Sequence, residues 1–147
     1  DPAASFSGAA WFVWGGGGGG ADGRRMIMES GAGYQLSVCL TSGASPVVRQ
    51  TGPGIGSIDG STVIVAGAVH MVVATYEVGT ARIYLDGVLQ NMKAAAPSGT
   101  TDATLTIGSY RGRDNRWFQG SLAHAAIWGR ALTAAEVRYL YDVGKGR

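Results

Sequence analysis

Short segments of alternating apolar and polar residues recur along this chain and are densest between His70 and Tyr141. A two-residue period, with β-branched and aromatic residues enriched, is typical of half-buried strands. Asp86-Gly87 separates two such segments and predicts a tight hairpin turn. Many short strands with turns at this spacing predict an all-β, antiparallel two-sheet sandwich.

The strands predicted from this pattern are Ser5–Trp14, Arg25–Glu29, Gly33–Leu40, Pro46–Gln50, Ser61–Val65, Val69–Tyr76, Arg82–Leu85, Val88–Lys93, Thr104–Ile107 and Leu122–Trp128. The glycine run Gly15–Gly20 follows the first strand. Glycine loses the most backbone entropy on ordering, so we expect this run to be a mobile loop. A phosphate-binding loop would end in Lys-Ser or Lys-Thr before a helix, and neither is present.

One short helix is predicted near the C-terminus. Thr133 and Glu136 have the capping-box spacing, with Thr133 as the N-cap. The helix then runs over Ala134–Asp142 and stops at Gly144. Because so short a helix is unstable alone in water, we expect Leu132, Val137 and Leu140 to pack it on the sandwich.

Composition limits the class of protein. A length of 147 residues suits one domain, and 46% apolar with 15% charged residues indicates a folded globule. The net charge is +2, and the arginines are spread out except around Arg111–Arg116, which disfavours a nucleic-acid face. Apolar runs such as Val63–Val69 are too short to cross a bilayer. The single cysteine, Cys39, excludes an intrachain disulfide and is expected to be a half-buried packing residue.

The second half of the chain resembles laminin-G-like jelly-roll domains of the concanavalin-A-like lectin superfamily. The matching segments are His70–Tyr76, Ala81–Gly87, Leu105–Gly108, Phe118–Leu122 and Ile127–Val137. The resemblance implies a single jelly-roll domain over residues 1–147 that binds its ligands at the surface. Family members usually carry another strand pair before the position of Phe6, so we expect the chain to be a fragment rather than a mature product. They also often have an acidic pair where this chain has Ala123-His124.

Catalytic and metal signals are weak. Glycoside hydrolysis needs two carboxyl groups flanking one bond, and Glu29, Glu77 and Glu136 have no acidic partner at strand spacing. His70 is expected to have a structural role. His124 has no cysteine or second histidine at the spacing of a zinc site. No cofactor is predicted. Calcium remains a weak alternative, since Asp22, Asp59, Asp102 and Asp114 are loop acids but isolated in sequence.

The segment Ser109–Trp117 is the best ligand-binding candidate because it combines aromatic rings, guanidinium groups and an Asp-Asn pair. Arginine binds carboxylates and sulfates with paired hydrogen bonds. Loops between strands lie at the end of a sandwich, where a ligand can reach them. The predicted binding residues are Arg111, Arg113, Asp114, Asn115, Arg116 and Trp14. Trp14 is expected to face outward beside the glycine run, whereas Trp117 is expected to be tucked into the core.

Two functions fit these observations. The first is a non-catalytic recognition or adhesion module that binds glycans or a surface partner through loops at the sandwich edge. The second is a structural decoration or attachment protein of a virus or phage particle or a surface assembly, held by neighbouring subunits. An unpaired sheet edge would invite strand addition from such a neighbour. Both place the protein outside the cell or on a particle surface, without nucleic-acid binding or membrane insertion.

Overall fold

A computed structural model describes residues 5–20, 22–32, 36–96, 101–109 and 116–146. The strands are β1 (Phe6–Gly18), β2 (Arg25–Ala32), β3 (Leu36–Leu40), β4 (Val48–Gly52), β5 (Gly56–Asp59), β6 (Val69–Glu77), β7 (Thr80–Leu85), β8 (Val88–Ala94), β9 (Thr101–Ile107) and β10 (Phe118–Trp128), followed by helix α1 (Ala134–Gly144). Sheet A has the order β10-β1-β6-β7-β8, and sheet B has the order β5-β4-β3-β2-β9. The predicted two-sheet antiparallel sandwich with a C-terminal helix is confirmed.

The main core lies between the two sheets, because alternate residues of each strand point inward. On β1 these are Phe6, Ala10, Phe12 and Trp14, and on β3 they are Leu36, Val38 and Leu40. Gly8 lies on the same inward face, and a Cβ atom there would come within 2.1 Å of a Leu36 methyl group. Glycine at this position therefore lets the two sheets approach closely.

Helix α1 covers the outward face of sheet A. A second cluster there joins Ala9, Met71, Val73 and Tyr84 of the sheet to Leu132 and Val137. The predicted capping box is confirmed, since the Thr133 hydroxyl accepts from the Glu136 N–H at 3.2 Å and the Glu136 carboxylate accepts from the Thr133 N–H at 2.8 Å. The expectation that Leu132, Val137 and Leu140 hold the helix on the sandwich is also confirmed.

The prediction that Gly15–Gly20 forms a mobile loop is wrong for most of the run. Strand β1 continues to Gly18, which pairs with Phe118 of β10, and the Gly19 N–H donates to the Trp117 carbonyl at 2.8 Å. Gly16 and Gly18 have φ angles of 93° and 82°, a region that side chains disfavour. Glycine is thus used here to continue a distorted strand against β10, and its ladder hydrogen bonds offset the entropy of ordering.

The predicted strand Ser61–Val65 is also wrong, and the sequence pattern missed β5 just before it. The segment crosses the end of the sandwich instead. The Ser61 and Thr62 N–H groups both donate to the Gln90 side-chain oxygen at 3.1 Å, and the Ile64 N–H donates to the Pro46 carbonyl at 2.8 Å. Ile64 is buried in the main core. The apolar residue that suggested a strand therefore packs into the core from an irregular segment. Among the described residues, no helix is long and apolar enough to span a membrane.

Candidate functional site

The loop predicted to bind ligand is described only at its ends. Arg111, Arg113, Asp114 and Asn115 lie outside the described residues. Ser109 follows β9, and Arg116 and Trp117 lead into β10. Trp117 is 49% exposed, so the expectation that it packs in the core is wrong, although Phe118 beside it does pack against the core.

An ion-pair network lies beside Trp117. The Asp22 carboxylate accepts from Arg24 Nε and from Arg116 Nε, each at 2.8 Å. Asp22 also accepts from the Arg24 backbone N–H at 3.1 Å. Burial raises the pKa of Asp22, but these hydrogen bonds and the two nearby positive charges outweigh it and leave the pKa below its usual value. One carboxylate therefore holds two guanidinium groups in fixed positions at this end of the sandwich.

The backbone fixes the exit of the loop. Arg116 has a φ of 59°, and its carbonyl accepts from the Met26 N–H at 2.7 Å. The Trp117 carbonyl accepts from Gly19 at 2.8 Å, and the Phe118 N–H donates to the Gly108 carbonyl at 2.8 Å. Since the backbone on both sides of Trp117 is anchored, its indole is presented to solvent from a rigid support. We name Asp22, Arg24, Arg116 and Trp117 the rim site.

Trp14 does not belong to the rim site, and the expectation that it faces outward is wrong. It is 5% exposed, because position 14 falls on the inward phase of β1 with Phe6 and Phe12. Its indole N–H donates to the Gly17 carbonyl at 2.8 Å, and the Arg25 guanidinium lies 4.9 Å from its ring centroid. Its polar edge and its face are thus both used inside the protein.

The outward face of sheet B carries polar residues. Arg49 of β4 and Asp59 of β5 form two hydrogen bonds, at 2.6 and 2.8 Å, and the Arg49 hydrogen bond holds the Asp59 pKa below its usual value. Glu29 and Ser37 face each other across β2 and β3 and are both buried. Cys39 is fully buried rather than half-buried, and burial raises its pKa to about 11, so it is a packing residue and not a reactive thiol.

The two histidines differ. His70 Nδ1 lies 2.7 Å from Asp86 Oδ2, and the other Asp86 oxygen accepts from the Met71 N–H at 2.9 Å. His70 therefore ties the β7–β8 turn to β6, which is a structural role as expected. His124 is exposed on β10. Within the described ranges, no three histidine, cysteine, aspartate or glutamate side chains come together as a metal site would require.

Two antiparallel five-stranded sheets packed face to face define the chain as a lectin-like jelly roll. A laminin G model of the concanavalin A-like lectin/glucanases superfamily matches residues 1–138, and the chain belongs to this superfamily. No curated protein sequence matches the chain significantly.

Solved structures share the fold at low sequence identity. A Bacteroides ovatus protein proposed to bind carbohydrate superposes with a TM-score of 0.72 at 17% identity, over 92% of this chain and 40% of its own. The CBM40 of the Ruminococcus gnavus IT-sialidase, bound to α2,3-sialyllactose, gives 0.67 at 9% identity, over 94% of this chain and 83% of its own. Domain 4 of the arabinanase AbnA from Geobacillus stearothermophilus, in complex with arabinotriose, superposes with a TM-score of 0.65 at 17% identity. The match covers 93% of this chain and 66% of the AbnA chain. The chain spans less than half of the first of these proteins.

Proposed function

We propose that the chain is a single, non-catalytic carbohydrate-recognition module that binds glycans at the rim site. The observation that carries this proposal is Trp117, an exposed indole on a rigid backbone support beside the Asp22 network. An exposed tryptophan of this kind offers a large apolar face and a polar N–H with little entropy to lose on binding.

The chemistry of the rim site suits a sugar. The apolar face of a pyranose ring can stack on the indole, and the carboxylate and guanidinium groups can bond to hydroxyl groups at fixed angles. Arg24 and Arg116 exceed Asp22 by one positive charge, which favours glycans that carry a carboxylate or sulfate. Arg111, Arg113, Asp114 and Asn115 extend the same segment in sequence, and the proposal includes them as ligand contacts.

The relatives support this class of function. The superfamily is named for lectins and glucanases, and two of the similar structures hold an oligosaccharide. The AbnA domain comes from an extracellular enzyme, which supports a location outside the cell.

The absence of catalysis is part of the proposal, and carboxylate pairing supports it. A glycosidase needs one carboxyl group as acid and a second as base or nucleophile. Five described carboxylates are instead held by a cationic or imidazole side chain within 3.2 Å: Asp22, Asp59, Asp86, Glu136 and Asp142. Hydrogen bonds and ion pairs with arginine side chains leave the pKa of Asp22, Asp59, Glu136 and Asp142 below the usual value, whereas a catalytic acid needs a raised pKa.

A glycan array with the purified chain tests the proposal, run once with calcium and once with chelator. Trp117→Ala should reduce binding to the best glycan about tenfold or more. Arg111→Ala combined with Arg113→Ala should also weaken it. Tyr139→Ala is the matched control, because Tyr139 is an aromatic residue on helix α1 that is more exposed than Trp117, at 66% against 49%.

An array with no bound glycan under either condition would refute glycan binding at the rim site. Equal losses of glycan binding for Trp117→Ala and Tyr139→Ala would show that the glycan does not bind at the rim site. Sensitivity to chelator would show that calcium takes part in the site.

A second candidate function is a structural element held by neighbouring subunits of a particle or surface assembly. One observation favours it: β10 is an eleven-residue edge strand of sheet A without any charged side chain. Edge strands usually carry charges that prevent pairing with another chain. Self-association in analytical ultracentrifugation, abolished by Ala125→Lys on β10, would support this role, and a monomer at high concentration would contradict it.

A further inference from the structure

A groove remains open on the outward face of sheet A where helix α1 ends. Across three neighbouring strands, Met71, Trp11 and Ala123 form one row of side chains, and Val69, Val13 and Ser121 form the next. The helix end at Gly144 and Lys145 borders the first row, and the second row is left uncovered. The resulting groove has a volume of about 280 Å³.

The end of the helix is set by direct contact with Trp11. A Cβ atom at Gly144 would come within 2.4 Å of the Trp11 ring, so only glycine lets the helix end lie against the indole. The Tyr141 ring also stacks on this indole, at 5.7 Å between centroids and 12° between planes. Trp11 is thereby held as a rigid wall of the groove.

A β-bulge places His124 in the groove. The register of β10 against β1 shifts between Trp11, which pairs with Ala123, and Ala9, which pairs with Ala126. His124 lies within this shift and has a φ of 50°, a left-handed conformation that residues other than glycine disfavour. Bulges of this kind redirect a side chain and are common beside binding sites. Here the bulge gives the groove an exposed imidazole next to the small residues Ser121 and Ala123.

The groove combines an apolar floor with hydrogen-bond donors at its margin. Val13 and Val69 form the floor, and Ser121, His124 and Lys145 line the edge. Lys145 is the cation that lines the groove, and its ammonium lies 3.2 Å from Asp142. Asp142 is shared with Arg138 at 3.0 Å, so these three groups together carry one net positive charge. Lys145 also offsets the partial negative charge of the last helical carbonyl groups.

We propose that this groove is a second binding site, for a carboxylate-bearing monosaccharide. The volume is slightly below the range of pockets for drug-sized ligands, so it fits one sugar ring rather than a chain. The apolar face of the ring lies on Val13 and Val69, and the carboxylate is bound by Lys145 with hydrogen bonds from Ser121 and His124. The site is separate from the rim, since Ser121 is four residues beyond Trp117, about 13 Å along a strand.

The test is an NMR titration of the full chain labelled with ¹⁵N. The protein has four tryptophans, so its indole N–H groups give few signals, and Trp11→Phe assigns the one that reports on the groove. Sodium glucuronate should shift the Trp11 signal with a dissociation constant in roughly the millimolar range. The neutral methyl glucoside should bind about tenfold more weakly, because it lacks the charged acceptor.

Matched variants locate the binding. Lys145→Gln should weaken the affinity for glucuronate about tenfold. Lys93→Gln, at the other lysine of the chain, should leave this affinity unchanged. Ala123→Leu should abolish binding by filling the groove, and because Ala123 is exposed on an edge strand the fold should tolerate it.

Several results would overturn the proposal: no shift of the Trp11 signal, equal shifts with the neutral glucoside, or equal losses for the two lysine variants. A shift of the Trp117 signal alone would show that glucuronate binds at the rim site, and it would also overturn the proposal of a binding site in the groove. If glucuronate shifts the Trp11 signal but the chain binds no glycan on the array, the groove proposal is supported and glycan binding at the rim site is refuted.

Discussion

The two sheets of the sandwich bury different kinds of side chain. Sheet A is apolar on both faces of its central strands, because one face meets the main core and the other lies under helix α1. Its buried polar residues are Ser7 and Thr75. The Ser7 hydroxyl accepts from the Leu132 N–H at 2.8 Å and donates to the Arg130 carbonyl at 2.9 Å. Sheet B instead buries Arg25, Glu29, Ser37 and Gln50.

The two sheets therefore differ in how completely their buried polar groups are hydrogen-bonded. Sheet A and its helix form the better-satisfied half, so most large losses of stability should map there. Sheet B retains buried polar atoms without a partner among the described residues, namely Arg25 Nε and both side-chain polar atoms of Gln50. Such atoms cost free energy. The rim site lies where the two sheets meet, because Asp22 and Arg24 precede β2 of sheet B whereas Arg116 and Trp117 lead into β10 of sheet A.

The largest expected effect is on the helix side of sheet A. Leu132→Ala should lower the free energy of unfolding by about 2–5 kcal/mol, because it leaves a cavity between α1 and the sheet. Urea unfolding followed by tryptophan fluorescence measures this. Leu89→Ala is the control, since Leu89 is 43% exposed and should change stability by less than about 1 kcal/mol. Leu89 lies on β8 of the same sheet, so equal effects at the two leucines would show that packing under α1 contributes no more to stability than an exposed position does.

A gain of stability is expected on the core side of sheet B. Gln50→Met keeps the length of the side chain and removes two buried polar atoms that lack hydrogen bonds. The free energy of unfolding should rise by about 1–3 kcal/mol. If Gln50→Met destabilises the protein in urea, Gln50 has a partner that stabilises it, and sheet B is not the less satisfied half.

The N-cap of α1 gives a smaller effect. Thr133→Ala removes the hydroxyl that accepts from the Glu136 N–H and should cost about 1 kcal/mol. Thr133→Ser keeps the acceptor and is the control. Thermal unfolding of the three proteins should rank Thr133→Ala below the other two, and a Thr133→Ala protein as stable as the parent would show that packing alone holds the helix.

The smallest effect is a pH dependence of the same cap. The Arg130 hydrogen bonds, with the Thr133 N–H, lower the pKa of Glu136 from 4.5 to about 2. A lowered carboxyl pKa stabilises the folded state above the unfolded pKa, so this contribution is present above pH 4.5 and is lost as the pH falls toward 2. Glu136→Gln should lower the melting temperature at pH 7 and leave it nearly unchanged at pH 2. A constant difference at both values would contradict this origin.

Local signals in the sequence predicted local structure well. Asp86-Gly87 forms the predicted turn because both residues adopt positive φ, at 52° and 80°, which aspartate and glycine tolerate best. Thr133 and Glu136 form the predicted cap because their partners lie within one helical turn. Both features depend on neighbours in sequence, so the pattern alone was sufficient.

The candidate site was predicted less well. The exposures of Trp14 and Trp117 were reversed, because which tryptophan is covered depends on strand phase and on distant partners. The alternation of β1 could have placed Trp14 inward with Phe12. Nothing near Trp117 in sequence shows that Gly19 would fix its backbone. The groove beside Trp11 was missed for the same reason, since it depends on where α1 ends against β1.

The sequence by itself determined the class of fold, since period-two strands, one turn signal and one capping box each act over a few residues. The tertiary structure alone decided where the glycine run pairs, which tryptophan faces solvent and where the sheet is left uncovered. These features come from contacts between residues a hundred or more positions apart, such as Gly18 with Phe118 and Trp11 with Gly144. Side-chain chemistry sets which contacts are favourable, and only the packed sandwich sets which of them can form together.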